Sequence, residues 1–288
     1  MLVRAQRESY RAVSLICLSH NLSSILFTVT VIGISNLHSS KCNLYMYLFL
    51  VHHNGSRQSP INIDIPDAPT RRALPLKWNY GYNSAPQKMY LTNTGHSLTL
   101  TVTHTEPLQL SSGTLSIPYK FEQLHFHWGE NDGIGSEHLV NGFQYPMEMH
   151  LVHSQNVRKD IDNLAVVAFL FRVMPTPNPA LQALVDAASC LKDPTKLQEE
   201  VTPFALTELL PDWDYSYFTY NGSLTTPPYT ESVTWIISAI LLDISRSQLE
   251  VFREVAKAHK DLKNNYRCVQ NINQRLVDFV QVYSDKYN

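Results

Sequence analysis

The sequence predicts a sheet-dominated fold, mostly β or α+β, with few helices. Three observations carry this. Short apolar or alternating runs recur along the chain, separated by Pro, Gly and Asn turn residues. Strand-favouring aromatics are abundant, at 15 Tyr, 11 Phe and 4 Trp. Helix-start signals occur at only two places. The 288 residues suffice for one large domain with a substantial core, and no internal repeat or low-complexity linker interrupts the pattern.

Residues 1–53 differ from the rest. Arg4, Arg7 and Arg11 come early, Glu8 is the only acidic residue before Asp64, and serines are frequent. Apolar runs follow at 14–18, 25–34 and 44–51, none reaching the roughly 20 residues of a membrane span. A secretory signal, an organellar transit peptide and an extension outside the mature protein all fit this composition. A folded domain is expected over 54–288. SLTLTVTH (97–104) alternates like a half-buried strand, whereas LAVVAFLFRV (164–173) and VTWIISAI (233–240) read as deeply buried ones. Asn178 and Pro179 can start a short helix through Leu191. Ser247 and Glu250 form a capping-box pattern for a helix running to about Lys263.

The net charge of −2 argues against nucleic-acid binding. Cys17, Cys42, Cys190 and Cys268 form no CxxC pair, which points away from a cysteine metal site and towards a reduced compartment.

The segment FEQLHFHWGE (121–130) raises the functional question, because histidine is an unusual core residue. Strand residues two apart share a face. Gln123, His125 and His127 therefore point one way, with Phe121 a candidate to join them, while Leu124, Phe126 and Trp128 face apolar core. A second strand is expected at YPMEMHLVHS (145–154), where Glu148, His150 and Val152 share a face opposite Met149, Leu151 and His153. If the two strands are neighbours, His125, His127 and His150 converge. Three imidazoles without a fourth protein ligand make a catalytic zinc site with one position left for water. Gln123 and Glu148 lie where partners for the outward ring nitrogens would be. Taken alone, HxH on a strand is more often a pair of hydrogen-bonded or exposed histidines.

Several motifs then coincide. QSPINI (58–63), QLHFHWG (123–129), GSEH (135–138), EMHLVH (148–153) and SLTTPPYTESVTW (223–235) together resemble the alpha class of carbonic anhydrases, in order and in spacing, over about 55–280. The resemblance implies a large, twisted, mainly antiparallel central sheet with a few peripheral helices. It implies Zn2+ held by His125, His127 and His150, with Gln123 and Glu148 supporting the ligands. Thr225 matches the gatekeeper hydroxyl, which passes its proton to Glu137. Val152, Val166, Leu224 and Trp235 match the apolar wall that holds CO2, Thr226 matches the residue flanking the gatekeeper, and His96 matches the proton shuttle.

The implied reaction is the reversible hydration of carbon dioxide to bicarbonate and a proton. Zinc lowers the pKa of its water to about 7 in carbonic anhydrases, the hydroxide attacks CO2, and His96 exports the proton. The implied enzyme is a sulfonamide-sensitive lyase acting on CO2, bicarbonate and water, and a monomer is expected. The alternative is a catalytically impaired family member with a binding role; such members typically lack a ligand histidine.

Four departures from the family stand out. The usual Gly- and Trp-rich segment before QSP is replaced by residues 1–54, removing a tyrosine from the proton path. Thr94 and Thr99 stand where Asn is common near the shuttle. Ser154 stands where Trp commonly follows HLVH. The cysteine pair of secreted members, before QSP and after TTPP, is absent, which favours a cytoplasmic location, with secretion or organellar import through the N-terminal segment as the alternative.

Overall fold

A computed structural model describes residues 55–155, 163–211, 215–260 and 262–283. The chain divides into two units, Met1–Lys41 and Cys42–Asn288; the first unit, and the apolar run 44–51 at the start of the second, lie outside the described residues.

Ten strands order the main sheet. They are Thr70–Ala73 (β1), Lys88–Asn93 (β2), Leu98–Thr103 (β3), Tyr119–Trp128 (β4), Met147–Ser154 (β5), Leu164–Met174 (β6), Gln198–Val201 (β7), Tyr217–Gly222 (β8), Val233–Ser238 (β9) and Asp278–Val282 (β10). Their order across the sheet is β7-β2-β3-β4-β5-β6-β9-β8-β10-β1. Only β6–β9 and β10–β1 are parallel along this path, so the sheet is mainly antiparallel, as expected. The three strands read from the sequence at 97–104, 164–173 and 233–240 are β3, β6 and β9.

The period-two pattern splits the core. Leu124, Phe126, Trp128, Met149 and Leu151 enter one buried cluster together with Leu249 and Phe252 of a helix, Arg246–Lys260 (α2). Val166, Ala168, Leu170, Tyr220 and Trp235 form the second cluster. Burying each large apolar side chain contributes about 1.5–3 kcal/mol, so a shift of β4 by one residue would exchange buried Leu124 and Phe126 for polar side chains and is strongly disfavoured.

The helix signals fall near their predicted places. Asn178 Oδ1 accepts the Ala180 N–H at 3.0 Å and caps a 3₁₀ turn, Pro179–Leu181, which continues into Gln182–Cys190 (α1). The capping box of α2 is displaced by two residues from the expected pair. Ser245 Oγ accepts from Gln248 N at 3.2 Å and Gln248 Oε1 accepts from Ser245 N at 3.2 Å, so Ser245 and Gln248 make the box while Ser247 and Glu250 lie inside the helix.

One expectation about faces is corrected. Phe121 pairs with His153, and Gln123 pairs with the adjacent Val152, leaving Glu122 as an extra bulged residue. The bulge turns Phe121 to the opposite face, where it is buried against Tyr82 and His153 and does not join the histidines.

No helix among the described residues is long and apolar enough to cross a membrane. Cys190 is free and exposed.

Candidate metal centre

Strands β4 and β5 are antiparallel neighbours, and their register sets His125 opposite His150 and His127 opposite Glu148. The three histidines converge as the alternation requires. One ring nitrogen from each of His125, His127 and His150 lies within 4.8 Å of the other two. His150 Nδ1 is 3.2 Å from His125 Nε2, and the three ring centroids are 4.6 to 5.0 Å apart.

Each histidine spends its other nitrogen on an acceptor. His125 Nδ1 donates to Gln123 Oε1 at 2.9 Å, His127 Nδ1 to the Asn265 carbonyl at 2.8 Å, and His150 Nε2 to Glu148 Oε1 at 2.7 Å. Those bonds leave a lone pair on each inward nitrogen. His127 Nε2 is buried and has no hydrogen-bond partner, the mark of a group whose partner is not protein. Burial, followed by the nearby imidazoles of His127 and His150, pushes the His125 pKa well below the ordinary histidine value. Burial also lowers His127, with Glu137 and the Asn265 carbonyl partly opposing. Both rings are therefore neutral, the form that ligates a metal. The residues fit a metal ion.

Glu148 is fully buried and accepts four donors. Oε2 takes the Glu137 and His138 N–H groups at 2.8 Å each, and Oε1 takes His150 Nε2 and His138 Nδ1 at 2.7 Å each. Burial alone would raise its pKa, but the His138 and His150 imidazoles outweigh burial and hold it well below the ordinary carboxylate value. His138 continues the network: its Nε2 bonds the Tyr220 hydroxyl at 2.7 Å, which also bonds Ser59 Oγ at 2.9 Å.

Other predicted residues fall around this centre. Val152, Val166 and Trp235 are register partners across β5, β6 and β9, forming one row beside the ligands. Leu224 packs on the same cluster, and the Trp235 ring meets the His150 ring at 4.9 Å. Thr225 is buried and Thr226 exposed. Glu137 Oε1 accepts the Arg267 N–H at 2.9 Å, and its buried Oε2 has no hydrogen-bond partner; no bond joins it to Thr225. His96 lies in the turn between β2 and β3, exposed and outside the histidine cluster. Thr99 is the register partner of His125.

Sequence reasoning missed Asn265, His138, Tyr220 and Arg267. His138 stood in the GSEH motif directly after Glu137, and its neighbourhood was the only available signal. The other three come from distant segments that no local spacing connects to the strands.

The order of strands, the three histidines and their outward acceptors define a centre on an open β scaffold that could hold a metal ion. The sequence model for the eukaryotic-type carbonic anhydrases matches residues 49–281. Human carbonic anhydrase 5A, mitochondrial, is 39% identical over 239 residues, covering 77% of this chain and 76% of its own. Rabbit carbonic anhydrase 1 is 39% identical over 210 residues, with 70% and 87% covered. Mouse carbonic anhydrase 7 is 38% identical over 240 residues, with 77% and 88% covered. The chain belongs to the eukaryotic-type carbonic anhydrase family, the lyases that hydrate carbon dioxide.

Proposed function

We propose that the protein catalyses the zinc-dependent, reversible hydration of CO2 to bicarbonate and a proton at the centre formed by His125, His127 and His150. The observation that supports this most is the inward trio of ring nitrogens with a buried, unpartnered His127 Nε2, set beside an apolar row. When bound, zinc supplies Lewis acidity that makes water a nucleophile near neutral pH.

The residues divide the remaining work. Gln123, the Asn265 carbonyl and Glu148 hold each imidazole in the tautomer whose free nitrogen faces the centre. Glu137 already uses Oε1 on the Arg267 N–H. Its Oε2 is left to accept a hydrogen bond from the Thr225 hydroxyl, whose own oxygen then accepts a hydrogen bond from the reacting water and orients it. Val152, Val166, Leu224 and Trp235 hold neutral CO2 in a dry pocket, and Thr226 borders its mouth. His96 takes the product proton on its imidazole and releases it to buffer. The functional unit is a monomer covering 54–288.

Stopped-flow CO2 hydration on the full chain, with zinc measured on the same sample, tests the proposal. Activity that tracks zinc content and is lost on chelation is expected. Zinc-loaded, folded protein without CO2 turnover would overturn it.

A further inference from the structure

We infer that Asn265 is a positioning residue whose side chain ties the turn carrying His96 to the metal-ligand strand, so that one residue serves both the metal centre and proton export. The inference rests on the reading of His96 as the proton carrier. It starts from an asymmetry. Among the described residues the His96 imidazole makes no hydrogen bond, whereas both its main-chain groups are held: N–H to Thr94 Oγ1 at 3.3 Å and C=O from Asn265 Nδ2 at 3.0 Å. A proton carrier must reorient its ring without letting its backbone drift.

The turn fixes its own shape. Thr94 N donates to the Ser97 carbonyl at 3.0 Å, and Thr94 Oγ1 accepts the Ser97 N–H at 3.1 Å. Gly95, at φ 77°, occupies the left-handed region and donates its N–H to Asn93 Oδ1 at 2.9 Å. None of these bonds reaches the ligand strand. Two side chains do. Ser97 Oγ donates to the Phe126 carbonyl at 2.6 Å, and Asn265 Nδ2 donates to both the His96 and the Phe126 carbonyls at 3.0 Å. Phe126 lies between the ligands His125 and His127. Behind the turn is a small cavity bordered by Gly95, Ser97, Trp128 and Val255, so the packing there is not continuous.

Asn265 is wired on its other side to the centre itself. Its main-chain carbonyl accepts His127 Nδ1 at 2.8 Å and its Oδ1 accepts the Trp128 N–H at 2.6 Å. The chemistry allows the two roles to be separated. Asn265→Asp keeps the shape, the main-chain carbonyl for His127 and the acceptor for Trp128, but replaces the donor facing His96 and Phe126 with a second acceptor.

The test compares wild type, Asn265→Asp, Asn265→Ala and His96→Ala. Amide hydrogen exchange across Gly95–Ser97 is read in the metal-free protein, and zinc affinity and CO2 hydration kinetics at low and high imidazole buffer in the loaded protein. Loss of the tether should speed exchange in the turn by about five- to tenfold in both Asn265 variants, the effect of one net hydrogen bond. In Asn265→Asp, kcat at low buffer should fall several-fold and recover with imidazole, while kcat/KM and zinc affinity stay within about twofold. Unchanged exchange and kcat in Asn265→Asp would overturn the inference, as would equal falls in kcat and kcat/KM with zinc loss, which would mean action through His127. If Asn265→Asp does not fold, unchanged exchange in Asn265→Ala overturns it. His96→Ala separates the two ideas: a normal kcat there overturns the shuttle reading together with this inference, whereas a lowered kcat with a normal Asn265→Asp overturns this inference alone.

Discussion

Glu148→Gln changes one atom and should move a proton on a metal ligand. The carboxylate is a pure acceptor with four donors aimed at it. Glutamine has one acceptor oxygen and one NH2 donor. If its oxygen takes the Glu137 and His138 main-chain N–H groups, its NH2 faces His150 Nε2 and His138 Nδ1. Both rings can then accept, but only by shifting their protons to the far nitrogen. For His150 the far nitrogen is Nδ1, which faces His125 Nε2 at 3.2 Å, the direction a metal must occupy. The opposite rotamer sets NH2 against two main-chain N–H groups, leaving buried donors unpaired at about 1–3 kcal/mol each. The first arrangement therefore prevails, and metal binding must reverse the tautomer. The expected loss is about 10- to 100-fold in zinc affinity, or about 1.4–2.8 kcal/mol. Chelator competition measures the affinity, and 15N chemical shifts of the His150 ring report the tautomer in metal-free protein. A folded Glu148→Gln protein with wild-type zinc affinity and the Nε2–H tautomer would refute the reasoning.

Three further outcomes are expected. His150→Ala should reduce bound zinc from about one per chain to about a tenth and remove nearly all CO2 hydration, as read by metal analysis and stopped-flow, because two imidazoles lose the three-point geometry. Burial pushes His153 down to about 4; the unfolded chain takes up a proton below about pH 6.5 while the native state does not, so its contribution is complete above pH 6.5 and is lost as pH falls towards 4. That is about 2.5 pKa units, or about 3 kcal/mol; denaturant titrations from pH 4 to 8 should show a shallower slope in His153→Gln, and equal slopes would exclude His153 as the cause. Deletion of residues 1–53 should leave zinc stoichiometry and secondary structure intact, since His125, His127 and His150 and their acceptors Gln123, Glu148 and Asn265 all lie beyond it; a deletion protein with neither would show that the extension is part of the fold.

The legible part of the molecule was the part governed by local period. Alternation alone assigned Leu124, Phe126, Met149 and Leu151 to one face and His125, His127 and His150 to the other, because a strand with one buried face has no freedom to slip. Two local rules failed where a distant segment intervened. Counting by twos along FEQLHF sets Phe121 with Gln123 and His125, yet pairing with β5 forces Glu122 out as a bulge and reverses Phe121. Ser245-x-x-Gln248 and Ser247-x-x-Glu250 satisfy the same capping rule; the first prevails because Ser245 ends a strand, Leu242–Ser245, held against β6. Asn265 and Tyr220 escaped the sequence reading for the same reason. They reach the centre only through tertiary packing, and neither carries a motif.

The departures from the family pattern take on a common meaning once they are placed. Thr94 builds the His96 turn through its hydroxyl, and Ser154 bonds the bulged Glu122 at the far end of the ligand strand. Thr99 stands opposite His125 across β3 and β4. None replaces a ligand or one of the three outward acceptors, which are Gln123, Glu148 and a main-chain carbonyl indifferent to the side chain at 265. These substitutions therefore fall in the His96 turn and on the margins of the strand that carries His125 and His127. The groups that fix each imidazole tautomer are coupled to one another through shared hydrogen bonds, so a single replacement there orphans a buried partner. A turn with an exposed imidazole carries no such penalty when its composition changes.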